Sequence, residues 1–154
     1  MTEPADVVVF SCNWDGLSCI EAAAHERLCY PTSVRVVRVS CLSRVHLGLV
    51  LRAFELGADG VMLLGCEPGK CHYDIDSEYI VQEYEKTQAV LKLMGLGPER
   101  LALARLHRGD GAEFVEQVNS FVSQLSYLWP PAPVAAVSEK VAKLPSPWDF
   151  RTEG

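Results

Sequence analysis

No stretch of this chain reaches the roughly 18 consecutive apolar residues of a membrane-spanning helix. The opening Met1-Thr2-Glu3-Pro4-Ala5-Asp6 is polar and acidic, where a secretory leader would carry a basic segment and then an apolar one. Basic residues are outnumbered: Lys and Arg total 14 against 20 Asp and Glu, a net charge of −6, which argues against nucleic acid or an anionic membrane as partner. No C-x-x-C occurs, which argues against a thioredoxin-type dithiol. No G-x-G-x-x-G follows a predicted strand and no Walker A sequence is present, so the usual nucleotide-phosphate loops are missing. The segment Ser11-Cys12-Asn13-Trp14-Asp15-Gly16 also lacks the Ser/Thr/Gly-rich composition of a flavin-phosphate cradle.

What the chain does have is cysteine, six in 154 residues. A domain of this length buries roughly 70% of its unfolded surface and needs no disulfides to fold. The absence of a leader or a membrane span sets the expectation of a cytoplasmic protein, where thiols stay reduced. Grouped cysteines there point to metal or redox chemistry.

The hydrophobic pattern alternates short β runs with helical periods. Strands are expected at residues 6–11, 34–39, 60–64 and 101–106. The first is Val-rich and continuous, as in a buried strand, and the Val/Arg alternation of the second marks a more exposed one. Helices are expected at 17–29 (Leu17, Ile20, Ala24 and Leu28 on one face), 44–56 (Val45, Leu49, Ala53, Leu56) and 75–94 (Ile80, Tyr84, Leu91, Met94). A last helix, N-capped by Asp110, carries Phe114, Val118, Phe121, Val122 and Leu125. The order βαβαβαβα predicts an α/β fold: a flavodoxin-like open parallel sheet of about four strands, order 2-1-3-4, with helices on both faces. Residues 1–128 form this expected domain. Residues 129–154 hold five of the nine prolines with Trp129, Trp148 and Phe150; such a tail is disordered or lies along a surface, and its aromatics favour docking on a partner.

Cys12, Cys41 and Cys66 each follow a predicted strand, and Cys71 completes a C-x4-C loop, Cys66-Glu-Pro-Gly-Lys-Cys71-His72. In a parallel sheet all four come to the carboxyl edge, where such folds bind ligands. Four convergent thiolates suit a 2Fe–2S cluster or a tetrahedral zinc, and a Cys66/Cys71 dithiol that cycles to a disulfide is a third reading. Cys19 is expected to be a spare or core thiol and Cys29 a buried small hydrophobe. His72 is expected beside the site rather than as a ligand, and His25, His46 and His107 at the surface. Trp14 is expected either to shield the site from water or to pack.

With those residues in view, the chain resembles the small iron–sulfur (delta) subunit family of the methyl-viologen-reducing hydrogenase over about residues 6–125. The resemblance rests on Gly57-Ala58-Asp59-Gly60-Val61 running into Gly65-Cys66-Glu67-Pro68-Gly69-Lys70-Cys71-His72-Tyr73. Cys12-Asn13-Trp14, Tyr30-Pro31, the Val34-to-Cys41 strand and Pro98-Glu99-Arg100-Leu101 add to it. It implies a flavodoxin-like fold without a flavin and a 2Fe–2S cluster on Cys12, Cys41, Cys66 and Cys71. It further implies an electron-transfer role among the redox subunits of a larger complex of hydrogenase/heterodisulfide-reductase or related bifurcating type. A flavin-containing heterodisulfide-reductase A-like subunit is the expected partner, and substrate chemistry is left to other subunits. The family usually has a further cysteine where this chain has Asp15, and often one where it has Ser11. Asp15 and Cys19 are therefore the residues to place next. The alternative is a structural zinc site in an adaptor subunit.

Overall fold

A computed structural model describes residues 4–128; the 129–154 tail, with Trp129, Trp148 and Phe150, lies outside the described residues. Strand β1 (Val7–Cys12) is almost wholly buried, as a continuous Val-rich run requires, and it takes the centre of the sheet. β2 (Val34–Val39) pairs with it on one side and β3 (Gly60–Cys66) on the other, while β4 (Leu101–Leu106) pairs with β3. All three pairings are parallel and the order is β2-β1-β3-β4, as expected of a flavodoxin-like sheet. The edge position of β2 accounts for its Val/Arg pattern: Arg35, Val37 and Arg38 are exposed.

Two apolar layers cover the sheet. Helices α1 (Asp15–His25) and α4 (Gly111–Ser126) pack on one face, where Val7, Val9 and Leu64 meet Cys19, Phe114 and Val118. Helices α2 (Leu47–Glu55) and α3 (Ser77–Leu93) cover the other, where Phe10, Val61 and Leu63 meet Val50, Phe54 and Leu91. The predicted apolar face of α4 is buried in full. Its start is fixed as expected, since Asp110 Oδ1 accepts the Glu113 N–H at 3.0 Å.

Three helix details depart from the sequence reading. α1 begins at Asp15 and ends at His25, where Arg27 turns the chain with φ 58°. Its buried residues are Gly16, Cys19 and Ala23, and Ala24 is exposed. α1 lies so close to α4 that a Cβ on Gly111 would run into the Ala22–Ala23 backbone, so small residues rather than the Leu/Ile stripe set the contact face. α2 starts later than expected, after a short 3-10 turn at Leu42–Arg44, and buries Val50, Leu51, Ala53 and Phe54, leaving Leu49 and Leu56 exposed. Cys29, expected in the core, is exposed: it follows the Arg27 turn, and its neighbours Leu28 and Tyr30 take the inward positions. Among the described residues no helix is long and apolar enough to cross a membrane.

Candidate metal centre

Parallel pairing brings the ends of β1, β2 and β3 to one edge of the sheet. Cys12 is the last residue of β1 and Cys66 the last of β3; the strands run one and two residues further, respectively, than the sequence pattern indicates. Cys41 stands two residues past β2, and Cys71 closes the loop after β3. These four thiols line one small cavity of about 30 Å³, together with Leu42, Ile80, Glu67 and Arg105.

Within the cavity the thiols form two pairs. Cys12 Sγ lies 3.7 Å from Cys66 Sγ, and Cys41 Sγ lies 3.8 Å from Cys71 Sγ. None of the four is in a disulfide. The pairing is across elements, not along the C-x4-C loop, so Cys66 and Cys71 each have another partner. For a tetrahedral metal with metal–sulfur bonds of ~2.3 Å, two ligand sulfurs are expected about 3.8 Å apart. Each pair therefore has the spacing of two ligands on one metal. Among the described residues no three His, Cys, Asp or Glu side chains are grouped to hold a single ion. Two close thiol pairs on one cavity are a donor set compatible with thiolate-bound metal, whether one ion or two.

Helix α1 supplies backbone donors to the Cys12/Cys66 pair. The Gly16 N–H donates to Cys12 Sγ at 3.1 Å, and that approach is open only because residue 16 has no side chain: a Cβ there would lie 3.2 Å from the same sulfur. Burial pushes the Cys66 thiol up to about 12, repulsion from Cys12 adds to the rise, and the Asp15 backbone N–H opposes it. A Cys66 thiol so hard to ionise without a cation gives up its proton when a metal is bound, so loading is favoured as pH rises. The first turn of an 11-residue helix is a fitting neighbour for a negative centre.

Asp15 does not line the cavity; its backbone N–H donates to Cys66, while its carboxylate charge adds a smaller push on that thiol upward. Cys19 does not line the cavity either. Cys19 is 0% exposed in the α1/α4 core and its thiol donates to the His107 carbonyl at 3.1 Å, while burial keeps it neutral. Ser11 is buried, with its hydroxyl donating to the Cys12 carbonyl at 3.1 Å. His72 stacks on Trp14 with ring centroids 3.6 Å apart, and Tyr73 meets both rings edge-on, so Trp14 neither packs in the core nor seals the cavity alone: it is 39% exposed. His25, His46 and His107 are at the surface, as expected. His107 nevertheless reaches the site's border, where its Nδ1 lies 3.1 Å from Glu67 Oε2. Arg105 and Gly16 are the site residues that sequence patterning does not single out. A charged residue at a strand end and a glycine early in a helix are signals only once the strand order is known.

A parallel α/β sheet that gathers four thiols in two pairs at its carboxyl edge defines an α/β protein with a candidate thiolate metal site. Residues 7–128 match the family described as methyl-viologen-reducing hydrogenase, delta subunit, and the chain belongs to that family. Among curated relatives, the D-type iron–sulfur subunit of the F420-non-reducing hydrogenase (vhc) of Methanococcus voltae is 32% identical over 124 residues, 80% of this chain and 86% of that one. Its counterpart in Archaeoglobus profundus is 32% identical over 125 residues, 81% of this chain and 91% of that one. The A-type subunit of the ferredoxin/F(420)H(2)-dependent CoB-CoM heterodisulfide reductase of Methanosarcina acetivorans is 35% identical over 124 residues, 80% of this chain but 16% of that one. The chain therefore spans 16% of the length of its heterodisulfide reductase relatives.

Proposed function

We propose that this chain is an electron-relay subunit of a multi-subunit oxidoreductase, with Cys12, Cys41, Cys66 and Cys71 holding a 2Fe–2S centre. The observation that carries the reading is the division of the four thiols into pairs at 3.7 and 3.8 Å on one cavity. The iron–sulfur naming of the hydrogenase relatives supports it. Such a centre, when bound, takes up and releases one electron without making or breaking a covalent bond. The chain's part is to supply four thiolates, to aim the Gly16 and Asp15 N–H groups at the Cys12/Cys66 pair, and to exclude water. Exclusion is uneven: Cys12 and Cys41 are buried, while Cys66 and Cys71 are half-buried, so the centre sits close to the surface that Trp14, His72 and Tyr73 share.

The proposed partner is a flavin-carrying subunit of heterodisulfide reductase A type, and the relatives' architecture supports a partner of that type. In two heterodisulfide reductase relatives the matching segment is 16% of a much longer polypeptide, whereas the hydrogenase iron–sulfur relatives match over most of their own length. A domain fused to a larger polypeptide in one protein and separate in another is expected to dock on that polypeptide when separate. Residues 129–154 are proposed as a further contact. The reading places the complex in the cytoplasm.

Co-expression with a heterodisulfide reductase A-type subunit from the same genome tests the relay. Rapid mixing of the pair with a reduced donor should bleach the centre's visible absorbance, and an oxidised acceptor should restore it within a turnover. Truncation at residue 128 should weaken the association and leave iron content unchanged. A stable complex whose absorbance never changes during turnover would make the chain an adaptor instead.

A further inference from the structure

Arg105 is the one basic side chain among the described residues that line the thiol cavity. It belongs to β4 and is the register partner of Gly65, next to Cys66. Alternate residues of a strand share a face, and Leu101 and Leu103 belong to the α2/α3 layer, so Arg105 projects to that side as well. Its guanidinium donates to the carbonyl of Ser77, the first residue of α3, at 2.8 Å. That single bond anchors one of five donors. No carboxylate among the described residues pairs with it. Glu67, the acidic residue of the same lining, turns its carboxylate to His107.

A half-buried guanidinium without a carboxylate is costly unless something else supplies negative charge. Apart from Glu67, which is turned to His107, the cavity offers that charge through its cysteines. We infer that Arg105 is the counter-ion of the thiolate-bound centre and a positioning residue for its charge, holding the reduction potential up. The inference rests on the iron–sulfur reading above. Two ferric ions, two sulfides and four thiolates make a dianion, and one added electron makes a trianion. A fixed cation beside it favours the more negative state. Because an arginine guanidinium is not deprotonated in proteins, this cation supplies no proton to accompany the electron.

The test is an EPR-monitored titration with dithionite and mediators on anaerobically purified full-length protein, comparing wild type, Arg105→Gln and Arg105→Lys, with iron and sulfide measured on each. Arg105→Gln should lower the reduced-to-oxidised ratio at fixed ambient potential by tenfold or more, a shift of about 59 mV to more negative potential for a one-electron couple. Arg105→Lys, which keeps the charge, should stay within about threefold of wild type. If Arg105→Gln cannot hold iron but Arg105→Lys can, the charge is needed for the centre and the inference stands. Loss of iron from both would make Arg105 a strut for α3, and an iron-loaded Arg105→Gln with unchanged potential would overturn the inference alone. Wild-type protein without iron and sulfide would overturn the underlying reading together with it.

Discussion

Cys66→Ser is expected to lose the metal centre, with iron per chain falling by well over tenfold, while Cys29→Ser and Cys19→Ala keep wild-type iron. Cys66 ends β3 with its sulfur 3.7 Å from that of Cys12, so on the proposed reading its removal leaves Cys12 as half of a ligand pair. Serine offers a harder, shorter donor in the same place, a poor replacement in a thiolate site. Loss of residues that merely support a metal ligand typically costs 10–100-fold in affinity, and loss of a ligand should cost at least the upper end. The controls separate site from fold. Cys29 is exposed and far along the chain from the cavity, and Cys19 is a core thiol that bonds the His107 carbonyl. Truncating Cys19 should cost about 1 kcal/mol of stability and no iron. Iron and sulfide assays on the three variants decide it; iron retained by Cys66→Ser, or lost by Cys29→Ser, would put the site elsewhere.

Gly16→Ala should have the second-largest effect, on both stability and the centre. The added methyl would sit 2.7 Å from Ser11 Oγ, 2.9 Å from the Leu64 carbonyl oxygen and 3.2 Å from Cys12 Sγ. A backbone carbonyl within β3 cannot move aside, so α1 must shift away from the sheet. That shift lengthens the 3.1 Å bond from the Gly16 N–H to Cys12 and draws the Asp15 N–H back from Cys66. Overpacking of this kind costs about 1–3 kcal/mol, or roughly 3–10 °C in thermal midpoint for a chain of this size. Weakened N–H donation to a ligand sulfur lowers the reduction potential and speeds iron loss to a chelator. Gly48→Ala is the matched control, since its added carbon would meet only the exposed His46 ring. Equal melting and equal chelation rates for Gly16→Ala and wild type would remove α1 from the account of the site.

Much of this arrangement is legible before any coordinates. β2 at Val34–Val39 and β4 at Leu101–Leu106 lie where β runs predict them, because short Val- and Leu-rich runs between turn residues have few other solutions. The sheet order then carries Cys12, Cys41, Cys66 and Cys71 to one edge, so the site follows from topology more than from any one motif. What sequence patterning misses has physical causes. In α1 a stripe of Gly, Cys and Ala makes the close contacts, Gly16 with the sheet and Ala22–Ala23 with α4, and small residues carry almost no hydrophobic signal. In α2 a run apolar on nearly every side leaves the phase undetermined, and Phe54 and Val50 win the interior over Leu49 and Leu56. The division of the thiols into 12/66 and 41/71 pairs depends on how the C-x4-C loop folds back, which spacing alone does not specify. The Glu67–His107 contact joins residues 40 apart, and Arg105 gains meaning only when β4 is set beside β3.

Iron, zinc and acid-labile sulfide content of the anaerobically purified chain, with an EPR spectrum after dithionite reduction, tests the central claim most directly. About two irons and two sulfides per chain, no stoichiometric zinc, and the spin-half signal of a reduced 2Fe–2S centre are the predicted result. Zinc without sulfide, or freshly isolated complex free of both metals, would contradict the relay and leave the chain an adaptor.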